Sequence, residues 1–184
     1  PLVALDFETT GLNSLQDEIV SIGLVPFTAQ RIYCRQAKHW VVNPASQLTE
    51  DSIVIHQITH SDIGRAPDLQ DVLSALLHEL AGKVVVVHYR AIERDFLYQA
   101  LLQRLGEGIQ FPVIDTMALE KTIVSRQRSL KDKFFGFTPR QSLRLPDARQ
   151  RYNLPAYKLH HAMTDALATA ELLQAQLAYH FRQN

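Results

Sequence analysis

Leu2-Val3-Ala4-Leu5-Asp6-Phe7-Glu8-Thr9-Thr10-Gly11-Leu12 is an apolar run of strand length that ends on two carboxylates two positions apart. Successive side chains of a strand alternate between its faces, so Asp6 and Glu8 leave the same face. Two carboxylates held together at the end of a buried strand repel each other and lose hydration, a costly arrangement unless a cation lies between them. An all-oxygen ligand set suits a hard ion such as Mg²⁺ or Mn²⁺. Thr9-Thr10-Gly11 then offers backbone N–H groups in a tight turn, a concavity suited to the end of an anionic substrate.

The chain outside this stretch has the composition of an ordinary globular protein. Its 184 residues suit one domain, 1–184, with a substantial core. Nineteen Lys and Arg balance nineteen Asp and Glu, so any basic surface must be local. Cys34 is alone, which excludes an internal disulfide and suits a reducing, cytoplasmic compartment. No apolar run approaches the ~20 residues of a membrane span, and no secretory signal opens the chain, so no membrane partner is expected. The start at Pro1, almost directly in a strand, suggests a trimmed domain that has lost a preceding segment.

Residues 18–27 read as a second strand and 31–37 as a third, with Trp40–Pro44 closing an antiparallel meander. Short helical turns are expected over 46–63. A helix follows Pro67, with Leu69, Val72, Leu73, Leu76, Leu77 and Leu80 at helical spacing and a stop at Gly82. Lys83–His88 is a continuous β-branched run, the pattern of a strand covered on both faces. Helix 92–105, a short strand 111–115, a helix 116–124 and a long final helix over about 163–181 complete the chain. The whole reads as an α/β fold whose sheet begins antiparallel and continues with strands alternating with helices.

Three further features carry chemistry. Asp165 falls in the first turn of the last helix, where the macrodipole favours negative charge, and His160 lies just ahead of it with the proton affinity of a general base. In Val87–Leu97 a strand end turns into a helix bearing Glu93 and Asp95. Residues two apart on a helix diverge by about 200°, so at most one faces a pocket. The apolar stripe Ile92, Phe96, Leu97, Ala100 lies nearer Glu93, which makes Glu93 the pocket residue and Asp95 the solvated one. Between 121 and 158 ten cations (Lys121, Arg126, Arg128, Lys131, Lys133, Arg140, Arg144, Arg149, Arg151, Lys158) read either as a solvated surface or as a basic rim for a phosphodiester backbone.

Asp6-x-Glu8-Thr9-Thr10-Gly11-Leu12, the acidic strand-to-helix segment and His160-x-Ala162-x-x-Asp165-Ala166-x-Ala168-Thr169 together resemble the three motifs of the DEDDh 3′→5′ exonucleases. That group contains the proofreading epsilon subunit of bacterial DNA polymerase III. Pro112-Val113-Ile114-Asp115-Thr116 is similar to a family segment as well, and the likeness spans nearly the whole chain. One motif departs: the family's usual His-Asn-Ala-x-Phe-Asp is here His88-Tyr89-Arg90-Ala91-Ile92-Glu93, with a Glu one methylene longer than the usual Asp.

The resemblance implies a ribonuclease H-like fold, a mixed five-stranded sheet with helices on both faces. It implies two Mg²⁺ or Mn²⁺ ions held by Asp6, Glu8, Asp165 and Glu93, and His160 as the base that takes a proton from the attacking water. It implies a nucleic-acid 3′ end as substrate, single-stranded because unstacked bases enter such a pocket. Thr9, Thr10, Gly11 and Leu12 would hold the terminal nucleotide, with His56 a further contact. A polymerase or another replication or repair protein is the implied partner. Two other readings follow from the altered middle motif and the small site: a binding or scaffold domain with weakened catalysis, and a hydrolase of short oligonucleotides only.

Overall fold

The computed structural model describes residues 1–44, 63–135 and 141–181, with the backbone alone for 128–135. Five strands form one sheet in the order β3-β2-β1-β4-β5: β1 Leu2–Thr9, β2 Ile19–Phe27, β3 Lys38–Val41, β4 Val84–Val87 and β5 Val113–Asp115. β2 pairs antiparallel with both β1 and β3, whereas β4 runs parallel to β1 and to β5. The parallel half requires crossovers, and helices supply them. These are α1 Leu69–Leu80, between β3 and β4, and α2 Ala91–Leu105, between β4 and β5. After β5 come α3 Thr116–Phe135, α4 Leu145–Arg151 and α5 Ala162–His180.

Strand parity sorts the core. Val3, Leu5 and Phe7 of β1 with Ile22 and Leu24 of β2 pack against Val72, Leu73 and Leu76 of α1 and Phe96, Leu97 and Leu101 of α2. Ala4, Val25, Phe27 and Val86 face the other way, onto Ala166, Ala170 and Leu173 of α5. Small side chains at 166 and 170 let α5 settle close to the sheet. Asp6 and Glu8 share the parity of Ala4, so the strand delivers both carboxylates beneath the start of α5.

The helix punctuation is local. Asp68 caps α1 by accepting from the Gln70 N–H at 2.7 Å, and α2 ends at Gly106 in the left-handed conformation. Two expectations are corrected. The third strand lies at Lys38–Val41 rather than 31–37: of the expected run only Ile32 bridges, to Phe27, and Cys34–Gln36 form a 3-10 turn. The helix expected over 116–124 continues to Phe135. The expected turns over 46–63 fall almost wholly outside the described residues, as does His56. No described helix is long and apolar enough to cross a membrane.

Candidate active site

β1 carries Asp6 and Glu8 to the carboxyl end of the sheet, where a register shift between Glu8 and Thr9 interrupts the pairing with β2. Such a bulge bends the strand and re-aims the side chains beside it. Asp165 enters from the first turn of α5. One oxygen from each of Asp6, Glu8 and Asp165 lies within 4.8 Å of the other two. Glu8 and Asp165 are 6% and 8% exposed, so little bulk water separates the charges.

Glu93, in the first turn of α2, is near enough for its charge to act on Asp6. It is 2% exposed, whereas Asp95 two positions on is exposed. Glu93 Oε2 is buried with no hydrogen-bond partner. Burial pushes the Asp6 carboxyl well above its ordinary proton affinity, with the negative charges of Glu93, Asp165 and Glu8 adding to the effect. Burial likewise pushes Glu93 up, reinforced by Asp115 and opposed by backbone N–H donors, among them that of Phe7. Asp165 is raised by burial as well, while the Tyr157 hydroxyl and the charge of His160 pull it back.

Carboxylates gathered out of water, with one buried oxygen unpartnered, fit a divalent cation. Added Mn²⁺ is therefore expected to raise the melting temperature. At about a hundred times its Kd the ion stabilises by ~2.7 kcal/mol, or roughly 5–10 °C for a chain of this size. Differential scanning fluorimetry with Mn²⁺, Mg²⁺ and EDTA measures this, and an unchanged melting temperature with both ions contradicts the metal reading.

Asp165 is held by two groups that its sequence neighbourhood did not single out. Tyr157 donates to Oδ1 at 2.7 Å and the His161 N–H to Oδ2 at 3.1 Å. The Tyr157 ring lies under the Arg149 guanidinium, 4.9 Å from centroid to Cζ. Nothing in the spacing of Tyr157 marks it; only the return of the 152–161 loop across α5 brings it to the carboxylate. Asp115 has a supporting part. Its carboxylate accepts the N–H groups of Tyr89 and Arg90 at the start of α2 and of Met117 and Ala118 at the start of α3, at 3.0–3.2 Å. That double cap holds Tyr89 at φ 85° and so sets the turn from which Glu93 projects. A signal was available here: an Asp that ends a strand immediately before a helix.

The remaining residues fall as follows. His160 is exposed, with φ 62°, on the loop that enters α5. The Thr10 N–H is already committed to the Glu18 carbonyl at 2.9 Å, which removes it from the donors expected to cradle a substrate. The Thr9 hydroxyl donates to the Gly11 carbonyl at 2.6 Å. A Cβ on Gly11 would stand 2.5 Å from the Asp17 carboxylate, which would have to shift to admit a side chain there. Leu12 stands 85% exposed at the loop tip. Two members of the basic run are not a rim. Arg149 is buried against Glu171, Ala168 O and Pro155 O, and Arg151 is paired with Glu120 and Ser142 O. Lys121, Arg126, Arg144 and Lys158 are exposed. The side chains of Arg128, Lys131, Lys133 and Arg140 lie outside the described residues.

A mixed sheet in the order 3-2-1-4-5, with carboxylates gathered at the end of its central strand, defines a ribonuclease H-like exonuclease fold. The chain belongs to the exonuclease family RNase_T, whose model matches residues 3–173. It is 26% identical over 181 residues to DNA polymerase III subunit epsilon of Treponema pallidum, covering 98% of this chain and 78% of that one. It is 28% identical over 170 residues to the PolC-type DNA polymerase III of Thermotoga maritima; the match takes in 92% of this chain but only 11% of the polymerase. Among solved structures, exonuclease X in complex with 5′ overhanging duplex DNA superposes with a TM-score of 0.69 at 21% identity, covering 100% of this chain and 95% of that one. The nuclease domain of 3′hExo, a DEDDh family member bound to rAMP, superposes with a TM-score of 0.70 at 18% identity, covering 96% and 91%.

Proposed function

We propose that the chain is a metal-dependent 3′→5′ exonuclease that releases nucleoside 5′-monophosphates from single-stranded 3′ ends. The observation that carries this reading is the convergence of Asp6, Glu8 and Asp165 within 4.8 Å, with Glu93 buried alongside. Asp6, Glu8 and Asp165 would hold one divalent cation, and Glu93 with Asp6 would hold a second. The ions, Mg²⁺ or Mn²⁺, supply Lewis-acid stabilisation of the attacking and leaving oxygens when bound.

The chain's own groups do the rest. Tyr157 and the His161 N–H hold the Asp165 carboxylate in one orientation. The imidazole of His160, exposed at the rim, accepts a proton from the attacking water. Leu12 offers an apolar surface to the terminal base, and the Thr9–Gly11 turn borders the terminal sugar. Exposed Lys158 and Arg144 are available to the phosphodiester backbone. The names of the relatives support a DNA polymerase partner.

A 5′-labelled single-stranded oligonucleotide incubated with Mg²⁺ or Mn²⁺ is expected to shorten in single-nucleotide steps with its label retained, and to stay intact with EDTA. No shortening with either ion refutes the proposal. Two variants assign the roles. His160→Ala lowers turnover by about 10²–10⁴-fold with Mn²⁺ affinity retained, the loss expected of a missing general base. Glu93→Ala slows cleavage by about 10–100-fold, as for a displaced metal-supporting group, while Asp95→Ala stays near wild type. Equal losses in the Glu93 and Asp95 variants would contradict the assignment of the fourth carboxylate.

A further inference from the structure

The loop that carries His160 is anchored on β2 and β3, the strands to one side of the one that bears Asp6 and Glu8. Gly23 of β2 stands in register between Asp6 on β1 and His39 on β3. A Cβ at position 23 would lie 2.1 Å from the Ala162 carbonyl oxygen, 2.2 Å from its carbon and 2.4 Å from the Met163 nitrogen. The backbone that opens α5 therefore rests directly on β2, on the shelf that a missing side chain leaves.

Immediately before that contact, the His161 ring lies on the His39 ring, with centroids 4.5 Å apart and planes 32° apart. His39 Nε2 is in turn 2.7 Å from Ser21 Oγ, which fixes the His39 ring to β2. His161 Nδ1 is buried with no hydrogen-bond partner, so the ring is held by its face rather than by a polar contact at that atom. One residue earlier the chain turns through the left-handed conformation of His160, which a non-glycine residue keeps only when its surroundings hold it.

We propose that His39 is a positioning residue for cleavage: stacked under His161 beside the Gly23 shelf, it sets where the His160 imidazole stands over the carboxylates. This rests on the reading of His160 as the base. His39 acts through its neighbour and touches no reacting atom. The His161 N–H also holds Asp165, but the Tyr157 hydroxyl donates to that carboxylate from a different part of the loop and keeps it in place without His39.

The test uses His39→Ala, His39→Phe, His160→Ala and the double variant His39→Ala/His160→Ala. His39→Ala is expected to lower kcat by about 10–100-fold, the scale of an ångström-level misplacement. KM and Mn²⁺ affinity stay within about twofold, which separates positioning from direct contact with substrate. His39→Phe restores most of the rate, since it keeps an aromatic face under His161. In the double variant the His39 change adds nothing to the loss from His160→Ala, because its effect runs through that imidazole. Amide hydrogen exchange at residues 160–162 quickens in His39→Ala and stays slow in His39→Phe.

An unchanged kcat in His39→Ala, losses that multiply in the double variant, or unchanged exchange overturns the proposal. If His160→Ala alone keeps full activity, the base assignment fails, and the exchange data still decide whether His39 holds the loop.

Discussion

Asp6→Ala is expected to lower metal-dependent cleavage by at least about 10³-fold, because in the proposed reaction several kcal/mol of charge stabilisation depend on ions that Asp6 would help to hold. Asp6→Asn has the same effect on cleavage and the opposite effect on the metal-free fold: it raises the melting temperature. The sign follows from proton binding. Burial and three neighbouring carboxylates push the Asp6 carboxyl up in the folded state. The unfolded chain loses that proton near pH 4, so between about pH 4 and the folded value the native state binds more protons than the unfolded one. Stability contributed by the protonated group is complete below pH 4 and is lost as pH rises through the folded value. In EDTA the wild type should therefore melt at lower temperature as pH is raised from 5 to 8. Asp6→Asn should melt higher and with a less negative slope; Glu93 and Asp165 keep part of that slope, and His39 and His88, whose proton affinities burial lowers in the fold, oppose it below about pH 6.5. Melting curves of wild type and Asp6→Asn across that range decide the matter, and equal slopes for the two would contradict the electrostatic picture of the site.

Glu120→Ala is expected to cost about 3–5 kcal/mol of folding stability, the usual consequence of removing one partner of a buried ion pair. For a chain of this size that is a fall of roughly 6–20 °C in melting temperature. Glu120 is 1% exposed and accepts three hydrogen bonds, from Arg151 Nε at 2.7 Å, the Tyr152 hydroxyl at 2.8 Å and Gln176 Nε2 at 2.8 Å. It thus ties α3 to α4 and α5. Without it, the Gln176 amide keeps only the Thr116 carbonyl, the Tyr152 hydroxyl only its contact with His180, and Arg151 only the Ser142 carbonyl. None of these groups touches the acidic cluster, so cleavage assayed well below the melting temperature should persist. Thermal melts of Glu120→Ala and Glu120→Gln provide the measurement. A shift under about 2 °C for Glu120→Ala would mean that the hub is dispensable.

Glu120 and its partners also show what a linear reading misses. A basic segment with few acids nearby reads as a charged rim, yet Arg151 finds Glu120 thirty-one positions back and Arg149 finds Glu171 twenty-two positions on. The third strand shows the same limit. Arg31–Ala37 has a strand-like pattern, but the run that pairs with β2 residues 21–24 is Lys38–Val41. Choosing between adjacent candidate strands depends on the register of the partner, which no local pattern carries.

Local patterns did determine the opening strand with its two carboxylates on one face, the helices over 69–80 and 91–105, and the long Ala-rich final helix with Asp165 in its first turn. Each follows from a period of two or about 3.6 and from caps only a few residues away. The tertiary structure alone decided that Tyr157 holds Asp165, that Asp115 caps two helices at once, that Arg149 is buried and Arg151 paired with Glu120, and that His39 lies against His161. The physical reason is that side-chain period is a property of one segment, whereas hydrogen bonds, ring contacts and ion pairs form between segments. Their partners exist only once β2, α5 and the loops beside them have packed together.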